Sequence, residues 1–307
     1  MQKISIVGAG RVGESTAQFL SSLDISREVV LLDVKEGVAE GAALDIQQTA
    51  PLFEFDTRVT GDTDPEILSG SNLVIITAGI ARKPGMSRSD VLETNVAILD
   101  GILDHVMRFA PDSLIMLVSN PVDVLTYRAW RRTGWARNRV FGQAGVLDSS
   151  RMAAFIALET GYSSQDISAM VLGGHGDAMV PMIRYTTISG ISIDQLLEKA
   201  QIEKIIDRTR HGGAEVLALR QTSSAYDAPA AAISTMVDAI ARARNSILPT
   251  VAILDGEYGY RDVAMGVPCV LGAGGMEKLI ELDLNAEERI MFDDSLQGVL
   301  TDIRKLG

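Results

Sequence analysis

The chain has 307 residues, of which 47% are hydrophobic and 22% are charged, an ordinary composition for a soluble globular protein with one large or two ordinary domains. Its formal net charge of -12 argues against nucleic acid or an anionic membrane surface as a partner. The single cysteine, Cys269, excludes an internal disulfide and any metal site built from several cysteines.

The first residues, MQKISIVGAG, enter a strand pattern directly and lack the basic and apolar regions of a signal peptide. No apolar run reaches the roughly 18 residues that a membrane span requires. We therefore expect a cytoplasmic protein.

The first half of the chain alternates short apolar runs with helical patterns. Five runs predict strands that are buried on both faces: KISIVG, EVVLLDV, NLVIITAG, SLIMLVS and RVFGQ. The intervening segments predict helices: RVGESTAQFLSSL, residues 37–48, residues 90–109 and VDVLTYRAWRRTG. Such alternation is typical of βαβ units, so the expected fold class is α/β with a doubly wound parallel sheet of the Rossmann type.

The rhythm changes after residue 143. The later elements are predicted to be a helix in LDSSRMAAFIALETG, a strand in SAMVLGG, helices near 193–220 and 225–246, and antiparallel strands in TVAILDGEYG and VPCVLG. In the final helix we expect Asn285 as the N-cap and Glu288 as its capping-box partner. We predict a dinucleotide-binding domain over residues 1–143 and an α+β substrate domain over residues 144–307, with a cleft between them.

A glycine fingerprint opens the chain. Gly8, Gly10 and Gly13 form GAGRVG between the first strand and the first helix. In such a motif the glycines permit a tight turn, close approach of a pyrophosphate, and close packing of helix on strand. Asp33 ends the next strand, where its carboxylate would bind the adenosine ribose and repel a 2′-phosphate. NAD is therefore the expected cofactor, and a plain strand-end cap is the alternative role for Asp33.

His175 is the candidate proton-transfer residue. It stands between Gly174 and Gly176 at the end of an apolar strand, and we interpret these glycines as clearing space around the imidazole. Asp148 lies three residues before Arg151, so the two share one face of a helix, and the carboxylate can orient the imidazole. The alternatives are a turn-forming histidine, and a helix cap beside a solvated arginine.

Arginine concentrates positive charge in this acidic chain at Arg82, Arg88 and Arg151. The planar guanidinium binds carboxylates in bidentate fashion, and histidine exchanges a proton near neutral pH. Several guanidiniums with one imidazole suit a small hydroxy or keto acid. Together with the dinucleotide signature, they indicate hydride transfer.

Six features carry a family resemblance, and they extend over nearly the whole chain: GAGRVG, the strand-end aspartate, TAGIARKPGMSR, VSNPVD, GVLDSSR and GGHGD. In their order and spacing the chain resembles the lactate/malate dehydrogenase superfamily. The resemblance implies that His175 donates and accepts the proton with Asp148 as its partner, and that Arg151 binds the C1 carboxylate of the substrate. It also implies that Arg88, on a mobile loop, polarises the reacting carbonyl.

The resemblance extends to further contacts. Asn120 in VSNPVD is expected to hydrogen-bond the substrate, and Asn95, Val118 and Asn120 to contact the cofactor. The simpler alternative for VSNPVD is a strand end that opens a helix. The family forms dimers and tetramers, and we expect a homotetramer.

Arg82 is the position that separates substrates. In this family the residue six before the polarising arginine faces the variable end of the substrate, and malate-type enzymes resemble this chain in carrying arginine where lactate-type enzymes carry glutamine. A guanidinium pairs with the second carboxylate of oxaloacetate, whereas facing a methyl group it would be a buried, unpaired charge. The resemblance therefore implies a malate-type enzyme that takes a small dicarboxylate. The neighbouring Lys83 or an exposed Arg82 would blur this assignment.

Three other functions stay open. Lactate or another 2-hydroxy acid is the alternative substrate. A related NAD-dependent glycosidase would need a cysteine–histidine metal pair, which we do not find in the sequence. A non-catalytic NAD sensor would have no use for His175, Arg151 and Arg88 together.

Overall fold

The computed structural model describes residues 1–80 and 88–306, and for Arg88 and Ser89 the backbone alone. The strands are β1 (Lys3–Val7), β2 (Glu28–Leu32), β3 (Arg58–Asp62), β4 (Leu73–Ile76), β5 (Leu114–Leu117), β6 (Val140–Gly142), β7 (Ile167–Ser168), β8 (Val171–Leu172), β9 (Val180–Pro181), β10 (Thr187–Ile188), β11 (Ile191–Ser192), β12 (Ser246–Asp255), β13 (Arg261–Gly272) and β14 (Gly275–Leu279). The α-helices are α1 (Arg11–Ser22), α2 (Val38–Gln48), α3 (Ala50–Phe53), α4 (Arg88–Phe109), α5 (Val122–Thr133), α6 (Gly145–Thr160), α7 (Lys199–Arg220), α8 (Asp227–Ala241) and α9 (Ala286–Ile303).

The first six strands form a parallel sheet in the order β3-β2-β1-β4-β5-β6. The order reverses between β1 and β4, which is the arrangement of a doubly wound sheet. In β4, Leu73 and Ile75 enter one buried cluster while Val74 and Ile76 enter another. Both faces are therefore covered, as the continuous apolar runs predicted. The α/β fold class is confirmed.

The edge strand β3 was missed in the sequence. Its residues RVTGD contain a single buried position, Val59, and are otherwise exposed or half-buried. Because only one of its residues is buried, β3 has no run of apolar residues from which a strand could be predicted. Its pairing with β2 identifies it in the structure.

The predicted antiparallel strands near the end of the chain are present as β12 and β13, with β14 beside them. They continue the main sheet, because Val251 of β12 pairs antiparallel with Gly142 of β6. One nine-stranded sheet thus crosses the expected domain boundary at residue 143. This continuity fixes the second half of the chain against the first.

The rest of the second half is built from α6–α9 and two small sheets, one of β7, β10 and β11 and one of β8 and β9. The predicted strand SAMVLGG shortens to the two residues of β8, because the chain turns at Gly173 (φ +88°). The helix expected from 193 begins at Lys199 instead. The capping box of α9 is confirmed, with Glu288 N–H donating to Asn285 Oδ1 at 2.9 Å and Asn285 N–H to Glu288 Oε2 at 2.9 Å.

Within residues 1–80 and 88–306, no helix combines the length and the apolar character needed to cross a membrane.

Candidate active site

The candidate residues gather where parallel strands end. Gly8 follows β1, Asp33 follows β2, and Asn120 lies just beyond β5. The carboxyl ends of parallel strands share one edge of a sheet, and the reversal between β1 and β4 opens a crevice there. The fold therefore brings the predicted cofactor residues to one side of the molecule.

Each of the three fingerprint glycines is required for a different geometric reason. Gly8 has φ +103°, and a Cβ there would lie 2.7 Å from the backbone nitrogen of Ala78. A Cβ on Gly13 would lie 1.9 Å from the carbonyl oxygen of Gly8, so this glycine lets α1 pack on the strand end. A Cβ on Gly10 would meet nothing within 4 Å. The space above Gly10 is open to a ligand, as the fingerprint requires.

The start of α1 and the Asp33 carboxylate complete this part of the site. Gly10 is the N-cap of α1 and supplies no side-chain cap, so N–H groups at the helix end are available to a phosphate. Asp33 Oδ2 accepts from Ala9 N–H at 2.9 Å, and Oδ1 accepts from Lys35 N–H at 3.1 Å. The carboxylate is thereby fixed beside the glycine turn, and the residues fit a dinucleotide.

Asn95, Val118 and Asn120 border the same crevice in different ways. Asn95 is 3% exposed; its Oδ1 accepts from Ile80 N–H at 2.8 Å and its Nδ2 donates to the carbonyl oxygen of Asn120 at 2.7 Å. Val118 is half-buried and its N–H bonds to Ile76. Asn120 is exposed. Asn95 thus fixes the chain after β4 to the chain after β5, while the side chain of Asn120 can reach a ligand.

His175, Asp148 and Arg151 form one cluster, of which the spacing in the sequence predicted the pair Asp148 and Arg151. Asp148 and Arg151 lie one turn apart near the start of α6, with Arg151 Nη1 3.1 Å from Asp148 Oδ1. The other carboxylate oxygen, Oδ2, is 2.9 Å from His175 Nδ1. The Asp148 side chain is 3% exposed, Arg151 13% and His175 22%. A buried carboxylate therefore orients a partly accessible imidazole and guanidinium.

Charge around the imidazole favours its protonated form. The Asp148 carboxylate raises the pKa of His175 above the ordinary 6.5 and outweighs the opposing effect of burial. Asp123 acts in the same direction, and Arg151 lowers the pKa of His175. With the Nδ1 proton donated to Asp148, Nε2 is the ring nitrogen left to exchange a proton with a ligand.

The glycines beside His175 also meet requirements of the surrounding structure. A Cβ on Gly174 would lie 3.0 Å from Val299 Cγ2 of α9, and Gly176 has φ +107°. Gly174 therefore allows close packing against α9, and Gly176 allows a left-handed turn. The loop is further held by Gly173 N–H, which donates to Gly266 O of β13 at 2.9 Å.

The structure does not extend to all predicted substrate residues. Arg82 lies outside the described residues. The backbone of Arg88 begins α4, and its side chain is not described. Their roles rest on the sequence.

Two residues of the site were missed in the sequence. A Cβ on Gly212 of α7 would lie 2.4 Å from Arg151 Cδ, so this glycine makes room for the guanidinium stem. The pair Gly212–Gly213 inside a helical pattern was an available signal, because a helix-interior glycine is unfavourable by about 1 kcal/mol unless packing requires it. Asp123 of α5 accepts from His175 N–H at 2.9 Å. An aspartate in a first helical turn is too common to be recognised in this role.

Among the described residues, no group of three or more histidine, cysteine, aspartate or glutamate side chains is placed to hold a metal ion.

The sequence is similar to those of known proteins. Residues 2–142 match the model of the lactate/malate dehydrogenase NAD binding domain, and residues 145–306 that of the lactate/malate dehydrogenase alpha/beta C-terminal domain. A malate dehydrogenase of Thioalkalivibrio sulfidiphilus is 71% identical over 306 residues, which is 100% of both chains.

Two solved structures have the same fold. A malate dehydrogenase from Salinibacter ruber superposes with a TM-score of 0.95 at 43% identity and covers 99% of this chain and 97% of its own. A lactate dehydrogenase from Cryptosporidium parvum, in complex with lactic acid and nicotinamide adenine dinucleotide, has a TM-score of 0.95 at 35% identity, with 99% and 98% covered. The protein thus belongs to the lactate/malate dehydrogenase family.

Proposed function

We propose that this protein is an NAD-dependent malate dehydrogenase, which interconverts (S)-malate and oxaloacetate by reversible hydride transfer. The observation that carries the proposal is the cluster of His175, Asp148 and Arg151. It places an imidazole, oriented by a carboxylate 2.9 Å away, beside a guanidinium that can bind a substrate carboxylate. The extensive identity to a malate dehydrogenase supports the choice of substrate.

The cofactor would be held by Gly8, Gly10 and Gly13 around its pyrophosphate and by Asp33 at the adenosine ribose. An aspartate at that position repels a 2′-phosphate, which favours NAD over NADP. When it is bound, the nicotinamide accepts or returns the hydride at C2 of the substrate. We assign further contacts to Asn95, Val118 and Asn120.

The protein's own residues supply orientation and proton transfer. Arg151 binds the C1 carboxylate, and Asn120 donates to the substrate oxygen. In malate oxidation His175 Nε2 takes the hydroxyl proton, while Asp148 stabilises the imidazolium that forms. In oxaloacetate reduction the imidazolium returns this proton to the carbonyl oxygen.

Arg82 and Arg88, the latter at the start of α4, complete the proposal. Arg88 would polarise the reacting carbonyl, and Arg82 would pair with the second carboxylate. Exclusion of water around the bound substrate would strengthen both interactions. Lactate or another 2-hydroxy acid is the second candidate substrate, favoured by the close structural likeness to a lactate dehydrogenase.

We also infer the setting of the enzyme. The family matches on either side of residue 143 support a cofactor domain over residues 1–143 and a catalytic domain over residues 144–307. A cytoplasmic location and a step in the tricarboxylic acid cycle fit this activity.

An exposed apolar surface supports a homo-oligomer. Helices α1, α2 and α3, with the residue that follows α1, carry six large, exposed apolar side chains, which we call the α1–α3 patch: Phe19, Leu23, Val38, Leu44, Leu52 and Phe53. Leu52 is 81% exposed and Leu44 63%. The three helices pack against one another, and large exposed apolar side chains on neighbouring helices are typical of a protein interface. We propose that it joins subunits of a homotetramer.

The substrate assignment is tested by NADH oxidation with oxaloacetate and with pyruvate. We expect kcat/KM to favour oxaloacetate by about a thousandfold, and Arg82→Gln to remove most of this preference, because it removes a charge that pairs with the second carboxylate. Lys83→Gln is the matched control and should change little. Comparable turnover of pyruvate by the wild type would favour the lactate alternative.

The role of His175 predicts opposite pH dependences in the two directions. Its raised pKa keeps the imidazole protonated below that pKa, so the KM for oxaloacetate should increase as pH rises through it. Malate oxidation needs the neutral imidazole, so its kcat/KM should increase over the same interval. Asp148→Asn should shift both pH dependences, that of oxaloacetate reduction and that of malate oxidation, to lower pH. A KM for oxaloacetate that is flat from about pH 6 to 9 would contradict this role.

Gly212 tests the position of Arg151. Gly212→Ala places a Cβ 2.4 Å from Arg151 Cδ, so the guanidinium must shift, and we expect the KM for oxaloacetate to rise about tenfold. In the neighbouring Gly213→Ala the Cβ meets nothing within 4 Å. This control should keep its KM and gain roughly 0.5–1 kcal/mol of stability. Equal KM values in the two variants would show that Arg151 does not bind the substrate.

The oligomer is tested by multi-angle light scattering. We expect the wild type to be tetrameric and Leu52→Glu to dissociate, because a carboxylate in an apolar interface is left unpaired. Ile290→Glu, at a 62% exposed position of α9 away from the patch, is the control and should stay assembled. Dissociation of both variants, or of neither, would refute the assignment of this patch.

A further inference from the structure

The turn that presents His175 is attached by three consecutive backbone N–H groups. Gly173 N–H donates to Gly266 O of β13, Gly174 N–H to Ser295 Oγ of α9, and His175 N–H to Asp123 Oδ2 of α5, each at 2.9 Å. Three separate elements thus fix the main chain of the candidate catalytic residue. Two of the acceptors are neutral, and the third is a carboxylate.

The Asp123 carboxylate is deeply buried. The residue is 5% exposed, and its Oδ1 has no hydrogen-bond partner among the described residues of the protein. Burial raises the pKa of Asp123 to about 6, although the bond from His175 N–H opposes this increase. The group is therefore ionised at neutral pH at an energetic cost.

A neutral acceptor would anchor the same N–H at lower cost. Ser295 Oγ does this for the neighbouring N–H of Gly174. A neutral group would be sufficient to accept this one hydrogen bond. A buried charge in its place is typical of a functional site, where the charge itself has a role. The negative charge of Asp123 can act on the imidazole of His175, whose backbone N–H it binds.

We propose that Asp123 is a positioning residue for the proposed reaction, which fixes the main chain of His175 and supplies a negative charge that favours its protonated imidazole. The inference rests on the proposed function of His175. Asp123 acts through His175 and is not placed against the substrate.

The charges that act on His175 come from two helices. Asp148 and Arg151 belong to α6, and Asp123 belongs to α5. The other packed elements, β13 and α9, contribute the uncharged contacts of Gly266 and Ser295 described above. On the loop itself Asp177 is exposed to solvent. Among the described residues, two carboxylates thus face one imidazole and one guanidinium.

Asp123 also links the two parts of the site. It lies in the first turn of α5, three residues after Asn120, where the helix dipole stabilises a negative charge. The start of one helix therefore carries the proposed substrate contact and, through Asp123, the turn of His175. A displacement of α5 would move both.

The direct test is an NMR titration of the imidazole in the full-length protein. The chain has three histidines, so the resonance of His175 can be assigned with His175→Asn. We expect Asp123→Asn, which keeps an acceptor oxygen and removes the charge, to lower the pKa of His175. Asp148→Asn should lower it further. Ser295→Ala, which loosens the same turn without a change of charge, should leave it in place.

The kinetic counterpart is the pH profile of oxaloacetate reduction. Above the pKa of His175 we expect about a fivefold loss of kcat/KM in Asp123→Asn, and at lower pH the two profiles should converge, because the imidazole is then protonated in both proteins. The loss in Ser295→Ala should be the same at every pH. Asp123→Ser, with an acceptor like that of Ser295, serves as a second variant if Asp123→Asn does not fold.

The outcomes separate this inference from the proposed function. A wild type without activity on oxaloacetate or pyruvate contradicts the proposed function, while the NMR titration still measures the effect of the charge. An active wild type with unchanged titration of His175 in both Asp123 variants overturns the inference. A shift in the pKa of His175 in Ser295→Ala as large as that in Asp123→Asn would also overturn the inference, because anchoring of the main chain alone would then explain the effect.

Discussion

The hydrogen bond between Asp148 and His175 joins the helix that follows the parallel sheet to a turn nearly thirty residues later, and the geometry of the site depends on it. It forms because α6 begins directly behind β6, where Gly145 lies against Pro249 of β12 so closely that a Cβ would approach within 2.7 Å. One residue after Asp148, Ser149 Oγ accepts from Val171 N–H of β8 at 2.9 Å. The same turn of α6 therefore locates the start of the loop and the imidazole at its end.

This arrangement makes the described half of the site rigid before a ligand arrives. The carboxylate of Asp148 is shared between His175 and Arg151, so the proton-transfer group and the proposed carboxylate anchor cannot move independently. Preorganisation of this kind lowers the barrier because little reorganisation is left for the reacting complex. Gly212 contributes by letting α7 close over the stem of Arg151.

Much of the fold could be predicted from residue patterns, because the parallel strands are buried on both faces and leave long apolar runs. The edge strand β3 leaves none, and its pairing with β2 depends on tertiary contacts. The glycine fingerprint and the spacing of Asp148 and Arg151 were sufficient to predict their placement, since each is a local geometric requirement. Asp123 and Gly212 could not be assigned, because their roles arise from packing between elements far apart in the chain.

Charge offers a reason why one scaffold can serve both malate and lactate enzymes. With His175 protonated and Asp123 ionised, the two aspartates, the histidine and Arg151 sum to zero. A substrate with two carboxylates adds two negative charges, and the proposed loop residues Arg82 and Arg88 bring two positive ones. A monocarboxylate would leave one guanidinium uncompensated in a site closed to water, which is unfavourable by several kcal/mol. Substrate choice can therefore change at a single loop position while the rigid cluster and the whole fold stay as they are.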